Sequence, residues 1–280
     1  MLCDVDSKTL NISTSNIEKL ISKRTKAIMP VHLYGNSCDM TKILKIAKKH
    51  NLKIIEDAAQ GLGVFHKKKH VGTIGDVGGI SFYGNKLITT GEGGIILTNK
   101  KKIYNEILQL KNHGRKTKGK FIHEKIGYNF MFTDLQAAIG LAQINKLKKI
   151  INKKLKIYKY YKSHIKNNED IKYIEKVDKT LSVYWFSNII TKQASKLKKF
   201  LSEKNIQTRN CFYPLSLQPC YKKNNNIIKK YVNKKNSLNI YKSFLSLPSA
   251  VQININELNH VIKNINSFYE KKNKTIGKFS

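Results

Sequence analysis

Residues 81–99 read SFYGNKLITTGEGGIILTN and place one lysine, Lys86, between a short aromatic-bearing strand and a glycine-rich turn. The β-branched and aromatic residues of GGISFYG and GGIILTN predict two short strands. The GEGG between them predicts a turn whose glycines tolerate positive φ. Lysine is otherwise the least informative residue type here, because 53 of the 280 residues are Lys or Arg. Position is what separates Lys86 from the rest.

Upstream, TKAIMPVHL is a short apolar run, and Asp39 caps MTKILKIAKKHN as an amphipathic helix. LKIIEDAAQ then reads as a strand ending in acids. Strands alternating with helices predict α/β architecture with a largely parallel sheet, in which ligands sit beyond the carboxyl ends of the strands. Asp57 and Lys86 fall at such ends. Downstream, KKIYNEILQLKNHG predicts a helix stopped by Gly114. Thr133 caps one long helical segment through Ile165, with a tightly packed apolar first half and a solvated lysine-rich second half. LSVYWFSNII predicts a strand, QASKLKKFLSEKN and INELNHVIKNINSFYEKK predict helices, and the Lys/Asn-rich patch near 222–236 predicts a mobile surface segment. The expected division is a large domain over 1–160 and a smaller α/β domain over 161–280. The opening MLCDVDSKTLNIS reads as the end of a buried strand, with neither the basic nor the apolar region of a signal peptide.

Composition narrows the function classes. No apolar run reaches the ~20 residues of a membrane helix. Cys3, Cys38, Cys211 and Cys220 lack CxxC spacing, which argues against a zinc site or a disulfide framework and for a reducing cytoplasm. His66 and His70 flank three lysines that would oppose a bound cation, so no metal is expected. The net charge of +35 invites a polyanion-binding reading, but the lysines are spread over nearly every segment and arginine is almost absent. A non-catalytic basic protein remains the competing class, and specific nucleic-acid recognition is not expected.

Taken together, the acid Asp57, Gln60 one turn on, the hydroxyl of Ser81 and the amine of Lys86 suit a cationic heterocycle carrying a phosphate and an aldehyde. EDAAQGLG, VGTIGDVGGISFYGNKLITTGEGGIILTN, GYNFMFTDLQAAIGLAQ and CFYPLSLQPCY resemble the DegT/DnrJ/EryC1/StrS family, with PVHLYGNSCDM and SLPSAVQI extending the likeness. Members are fold-type I, pyridoxal 5'-phosphate-dependent sugar aminotransferases, and SFYGNKLITTGEGG is most similar to the perosamine-synthase branch. The resemblance implies that Lys86 bonds the cofactor and shuttles the proton, and that Asp57 pairs with the ring nitrogen. It sets Gln60 beside the ring's phenolic oxygen, Ser81 on the phosphate, and Asn129 on the phosphate of a neighbouring subunit. A homodimer with shared active sites follows, and Arg209 and Tyr213 fall in the substrate-lining region. The implied substrates are a nucleotide-linked 4-keto-6-deoxy sugar and an amino donor, glutamate, in surface-polysaccharide or amino-sugar synthesis. Relatives with histidine at the lysine position are dehydratases, so Lys86 favours transamination.

Two departures bear on the sugar: Met131 stands where members often carry Arg or Lys, and Ser216 where they carry His. The first residues match a point inside the family's catalytic domain. The resemblance therefore implies a large domain lacking an N-terminal part, which in relatives carries a Ser-Gly-Thr turn and a ring-stacking aromatic. A fragment of a longer enzyme, one half of a split enzyme, or an inactive product are the corresponding expectations.

Overall fold

The computed structural model describes residues 1–117, 119–166, 169–222 and 235–276, the last six as backbone only. The Lys/Asn-rich patch expected to be mobile lies almost wholly outside the described residues. A four-stranded sheet runs in the order Ala27–Ile28, Lys53–Asp57, Val77–Ser81, Gly94–Leu97. The first three strands are parallel and the fourth is antiparallel to its neighbour, so the sheet is mostly parallel as expected. Met40–Lys49 forms the predicted helix, with the Asp39 carboxylate accepting from the Lys42 amide. The opening residues form no strand; they make a turn closed by a single bridge between Val5 and Ile12.

Alternation along the strands decides what faces where. In Lys53–Asp57, Ile54 and Glu56 are buried, while Asp57 lies on the opposite, more open face. In Val77–Ser81, Gly78 and Ile80 are buried, and Gly79 and Ser81 share the face of Asp57, with Gly79 in register beside it. Glu56 is 1% exposed. A carboxylate there is tolerable only with several donors, and it has four. His32 Nε2 lies 3.0 Å from Oε2, and the amides of Gly72, Ile74 and Gly75 donate at 2.8, 2.7 and 2.6 Å. His32 Nδ1 accepts from the Cys38 amide, which puts the imidazole proton on Nε2, facing Glu56. Burial pushes the Glu56 carboxyl up, but His32 and the amides of Gly75 and Gly72 outweigh it and hold it below its ordinary value.

The segment from Thr133 departs from expectation. Thr133 caps it in a capping box with Gln136, but the helix ends at Ile144 and a second runs from Leu147 to His164. The first helix buries no residue, so its apolar half is exposed rather than tightly packed. The lysine-rich second helix instead buries Lys154, Ile157, Tyr158 and Tyr161. Its apolar stripe joins a core with Ile189, Leu197, Leu201, Leu245 and Ile265, beneath a three-stranded antiparallel sheet ordered Phe244–Leu247, Ser187–Ile190, Lys172–Tyr173. Of the expected LSVYWFSNII strand, Ser187–Ile190 stands in this sheet, while Leu181 ends a separate short strand, Thr180–Leu181. Tyr184, at positive φ, breaks it, and Trp185 leaves the ladder to join a separate core with Tyr34, Val64, Leu87 and Phe244.

Glu56→Gln replaces one acceptor oxygen by an NH2 facing backbone amides and should destabilise the fold by about 3 kcal/mol in denaturant titration. Because the folded Glu56 value is depressed, its contribution is present above the ordinary carboxylate value of 4.5 and is lost as pH falls through the lower folded value. Stability of the parent chain should decline in that acid range more steeply than that of Glu56→Gln.

Candidate active site

The carboxyl ends of Lys53–Asp57 and Val77–Ser81 present Asp57, Gly79 and Ser81 on one face. A Cβ built on Gly79 would meet nothing within 4 Å, so this face is open at its centre. Gly78, on the other face, has no such room: a Cβ would lie 2.1 Å from the Gly72 carbonyl. The loop that Glu56 clamps thus rests directly on the strand carrying Ser81.

Asp57 Oδ1 accepts from the Ala59 amide at 3.0 Å. Among the described residues its other oxygen has no hydrogen-bond partner. Gln60 Oε1 accepts from the Tyr34 amide at 2.6 Å. Tyr34 sits at φ 54°, ψ 24°, an unusual conformation for a non-glycine residue, held by that bond and by the Trp185 amide donating to its carbonyl at 3.1 Å. Ser81 Oγ accepts from the Tyr83 amide at 3.2 Å, which turns the chain out of the strand.

Lys86 follows on this turn, its own amide donating to the Tyr83 carbonyl. Its ammonium lies 4.5 Å from the centroid of the Trp185 ring. Burial pushes the Lys86 amine below its ordinary range, and the charge of Asp57 offsets part of that shift. The amine and the carboxylate therefore share one electrostatic environment. They stand far apart along the chain, and only the fold joins them.

Asp57, Gln60, Ser81 and Lys86 are thus gathered on neighbouring elements. Arg209 joins them indirectly: its guanidinium lies 5.5 Å from the Phe186 ring, which is 4.1 Å from that of Trp185. Tyr213 packs edge-on against Tyr241 at 5.2 Å, next to Phe212, which stacks on Tyr34 at 5.5 Å. Asn129 stands apart, exposed, on a segment bridged to Asn112. Sequence reasoning missed Tyr34 and Trp185. The sequence marked Trp185 only as its sole tryptophan, and nothing in it marked the backbone of Tyr34. His66 and His70 are absorbed locally, His66 by the Thr41 hydroxyl and His70 by the Gly63 amide.

The donor set fits pyridoxal 5'-phosphate: a half-buried carboxylate with one unpartnered oxygen, a hydroxyl and an amine surround a face that only a glycine leaves open. Residues 1–266 match the sequence profile of the DegT/DnrJ/EryC1/StrS aminotransferase family. GDP-perosamine synthase of Escherichia coli O157:H7 is 38% identical over 96% of this chain and 72% of its own length. GDP-perosamine synthase of Vibrio cholerae is 35% identical over 79% of this chain, which spans 61% of that relative. Among solved structures, a family aminotransferase from Brucella abortus superposes with a TM-score of 0.85 at 27% identity, over 96% of this chain and 73% of that one.

Asp57→Asn removes the charge that supports the Lys86 ammonium. The amine should then titrate at lower pH than in the parent. The pH dependence of Lys86 modification by an amine reagent, read by peptide mass spectrometry, checks the direction.

Proposed function

The chain belongs to the DegT/DnrJ/EryC1/StrS aminotransferase family, and from that membership we propose that it is a pyridoxal-phosphate-dependent aminotransferase acting on a nucleotide-linked 4-keto-6-deoxy sugar. The observation that carries the proposal is the placing of Asp57 and Ser81 on a sheet face left open by Gly79, with the Lys86 amine close enough to feel the charge of Asp57. When bound, the cofactor supplies an electron sink that lets an amino group be exchanged for a carbonyl oxygen.

The chain's own residues do the rest. Lys86 bonds the cofactor and, once released, takes and returns the proton at the reacting carbon; its lowered titration favours the free amine needed for both. Asp57 keeps the ring nitrogen protonated through its unpartnered oxygen. Gln60 stands beside the ring's phenolic oxygen, and Ser81 binds the phosphate. Arg209 and Tyr213 line the sugar side. The amino group leaves a donor, glutamate, as its 2-oxo acid, and enters the sugar at its carbonyl carbon. The lysine-rich surface favours an anionic nucleotide diphosphate. Similarity to GDP-perosamine synthases supports this sugar class, and surface-polysaccharide synthesis is its setting. Residues 1–160 form the cofactor domain and 161–280 the smaller one.

We also propose a homodimer in which Asn129 reaches the partner's cofactor phosphate. The Asp134–Ile144 helix supports it, because it is built inside out. Gln136 and Gln143 point inward, donating to the carbonyls of Glu92 and Thr89, while Leu135 and Leu141 are 80% and 67% exposed. Phe121, Ile126 and Phe130 extend the same apolar character nearby. Exposed apolar area of this kind marks an interface.

Lys86→Ala should abolish the borohydride-stabilised pyridoxal phosphate adduct that the parent carries on its Lys86 peptide. An adduct of equal yield on another lysine would overturn the assignment. Leu135→Glu with Leu141→Glu should convert a dimer to a monomer in sedimentation; an unchanged dimer would place the interface elsewhere.

A further inference from the structure

We propose that Trp185 is a positioning residue that holds the Lys86 ammonium whenever Lys86 is not bonded to the cofactor, and that Lys154 holds Trp185 in place. The inference rests on Lys86 being the cofactor lysine.

Two contacts tie the indole to the Lys86 turn. The ring face lies 4.5 Å from the Lys86 ammonium, and the indole N–H donates to the Asn85 carbonyl at 2.9 Å. Among the described residues the Lys86 ammonium has no hydrogen bond, so the ring is its principal contact. A lysine stem otherwise samples many rotamers, and an aromatic face beside the ammonium selects a few of them. The ring and Asp57 both favour the charged form, whereas burial opposes it.

Trp185 is itself fixed from behind. Its amide donates to Tyr34, and its carbonyl accepts from the Lys154 ammonium at 2.9 Å. Lys154 is 7% exposed and comes from the long Leu147–His164 helix. Its second bond, at 2.5 Å, goes to the Ser249 carbonyl, and the Phe186 ring lies 5.9 Å away. Burying an ammonium is costly unless it is well bonded, and here two backbone carbonyls and a ring face stand in for a carboxylate. One cation thereby fastens a helix, the Trp185 segment and the loop that follows Leu247 together. With no open face beside it, Lys154 acts through Trp185 rather than on substrate.

Trp185 is the sole tryptophan, so its emission reads the contact directly. Using the full chain without cofactor, Lys86→Met should change the intensity or wavelength of that emission, while Lys69→Met, exposed on a hairpin, should not. Trp185→Leu should raise the rate of Lys86 modification by an amine reagent by about threefold near neutral pH, since the ammonium loses its aromatic partner. With pyridoxal phosphate, Trp185→Leu should slow formation of the trappable adduct by about tenfold, through lost orientation of the amine. Trp185→Phe keeps the core filled and a ring face but loses the bond to Asn85, and should fall between parent and Leu. Lys154→Met should shift the Trp185 emission and slow the adduct in the same direction. Emission unaltered by Lys86→Met, or labelling and adduct rates in Trp185→Phe and Trp185→Leu equal to the parent's, would overturn the proposal. Absence of any adduct in the parent would strike the aminotransferase reading instead, and the emission and labelling measurements would still decide the role of Trp185.

Discussion

A buried carboxylate organises the catalytic end of the sheet. Glu56 faces His32 and three loop amides with no access to water, and each partner is fixed by the need to satisfy that charge. Its bonds draw the 72–75 loop onto the Val77–Ser81 strand so closely that only glycine fits at position 78. The strand's register is thereby set, and with it the place of Gly79 and Ser81. Because strand residues alternate, the same constraint turns Asp57 to the opposite face. The acid that holds the fold and the acid that serves the site are neighbours in sequence with separate environments.

The aromatic cluster plays the corresponding part on the other side of Lys86. Tyr34 stacks near Trp185, Phe212 and Phe244, with its phenol directed at Cys211. Its left-handed backbone is held by Gln60 from the sheet side and by Trp185 from the C-terminal half. A strained residue held from two directions couples those parts of the chain. Arg209 and Tyr213, proposed to line the sugar side, approach the same cluster through Phe186 and Phe212, so the aromatic stack links the amine to the region where substrate is proposed to bind.

How much of this was legible depended on range. The strand ends, the Asp39 cap, the Thr133 cap and the mostly parallel order follow from local pattern, and they appear where expected. The motif EDAAQ showed two acids at a strand end, but its letters do not say which is clamped, since the four donors to Glu56 arrive from the 32 and 72–75 segments. The single helical segment predicted from Thr133 to Ile165 failed because two apolar stripes point in different directions: one buries Ile157 and Tyr161, the other leaves Leu135 and Leu141 outside. A change of face between successive helices is invisible to a window that asks only whether the period is helical. Trp185 was read as one more strand residue, because its partner Asn85 lies far upstream in the chain.

Lysine chemistry shows why position outweighs composition in so basic a chain. Most lysines here are solvated, and among the described residues burial lowers the titration of Lys86 and Lys154. Lys154 is pushed further, down to about 8. Depression alone would therefore select Lys154 over the amine proposed to bond the cofactor. Lys154 is enclosed, with two backbone carbonyls taking two of its three donors, and a lysine so bonded and buried has little room to move. At Lys86 the charge of Asp57 offsets part of the shift and the indole faces the ammonium, yet neither occupies it with a hydrogen bond. An amine that is partly desolvated, weakly held and beside an open face can lose its proton and move. A nucleophile needs that combination, and the deeper burial of Lys154 excludes it.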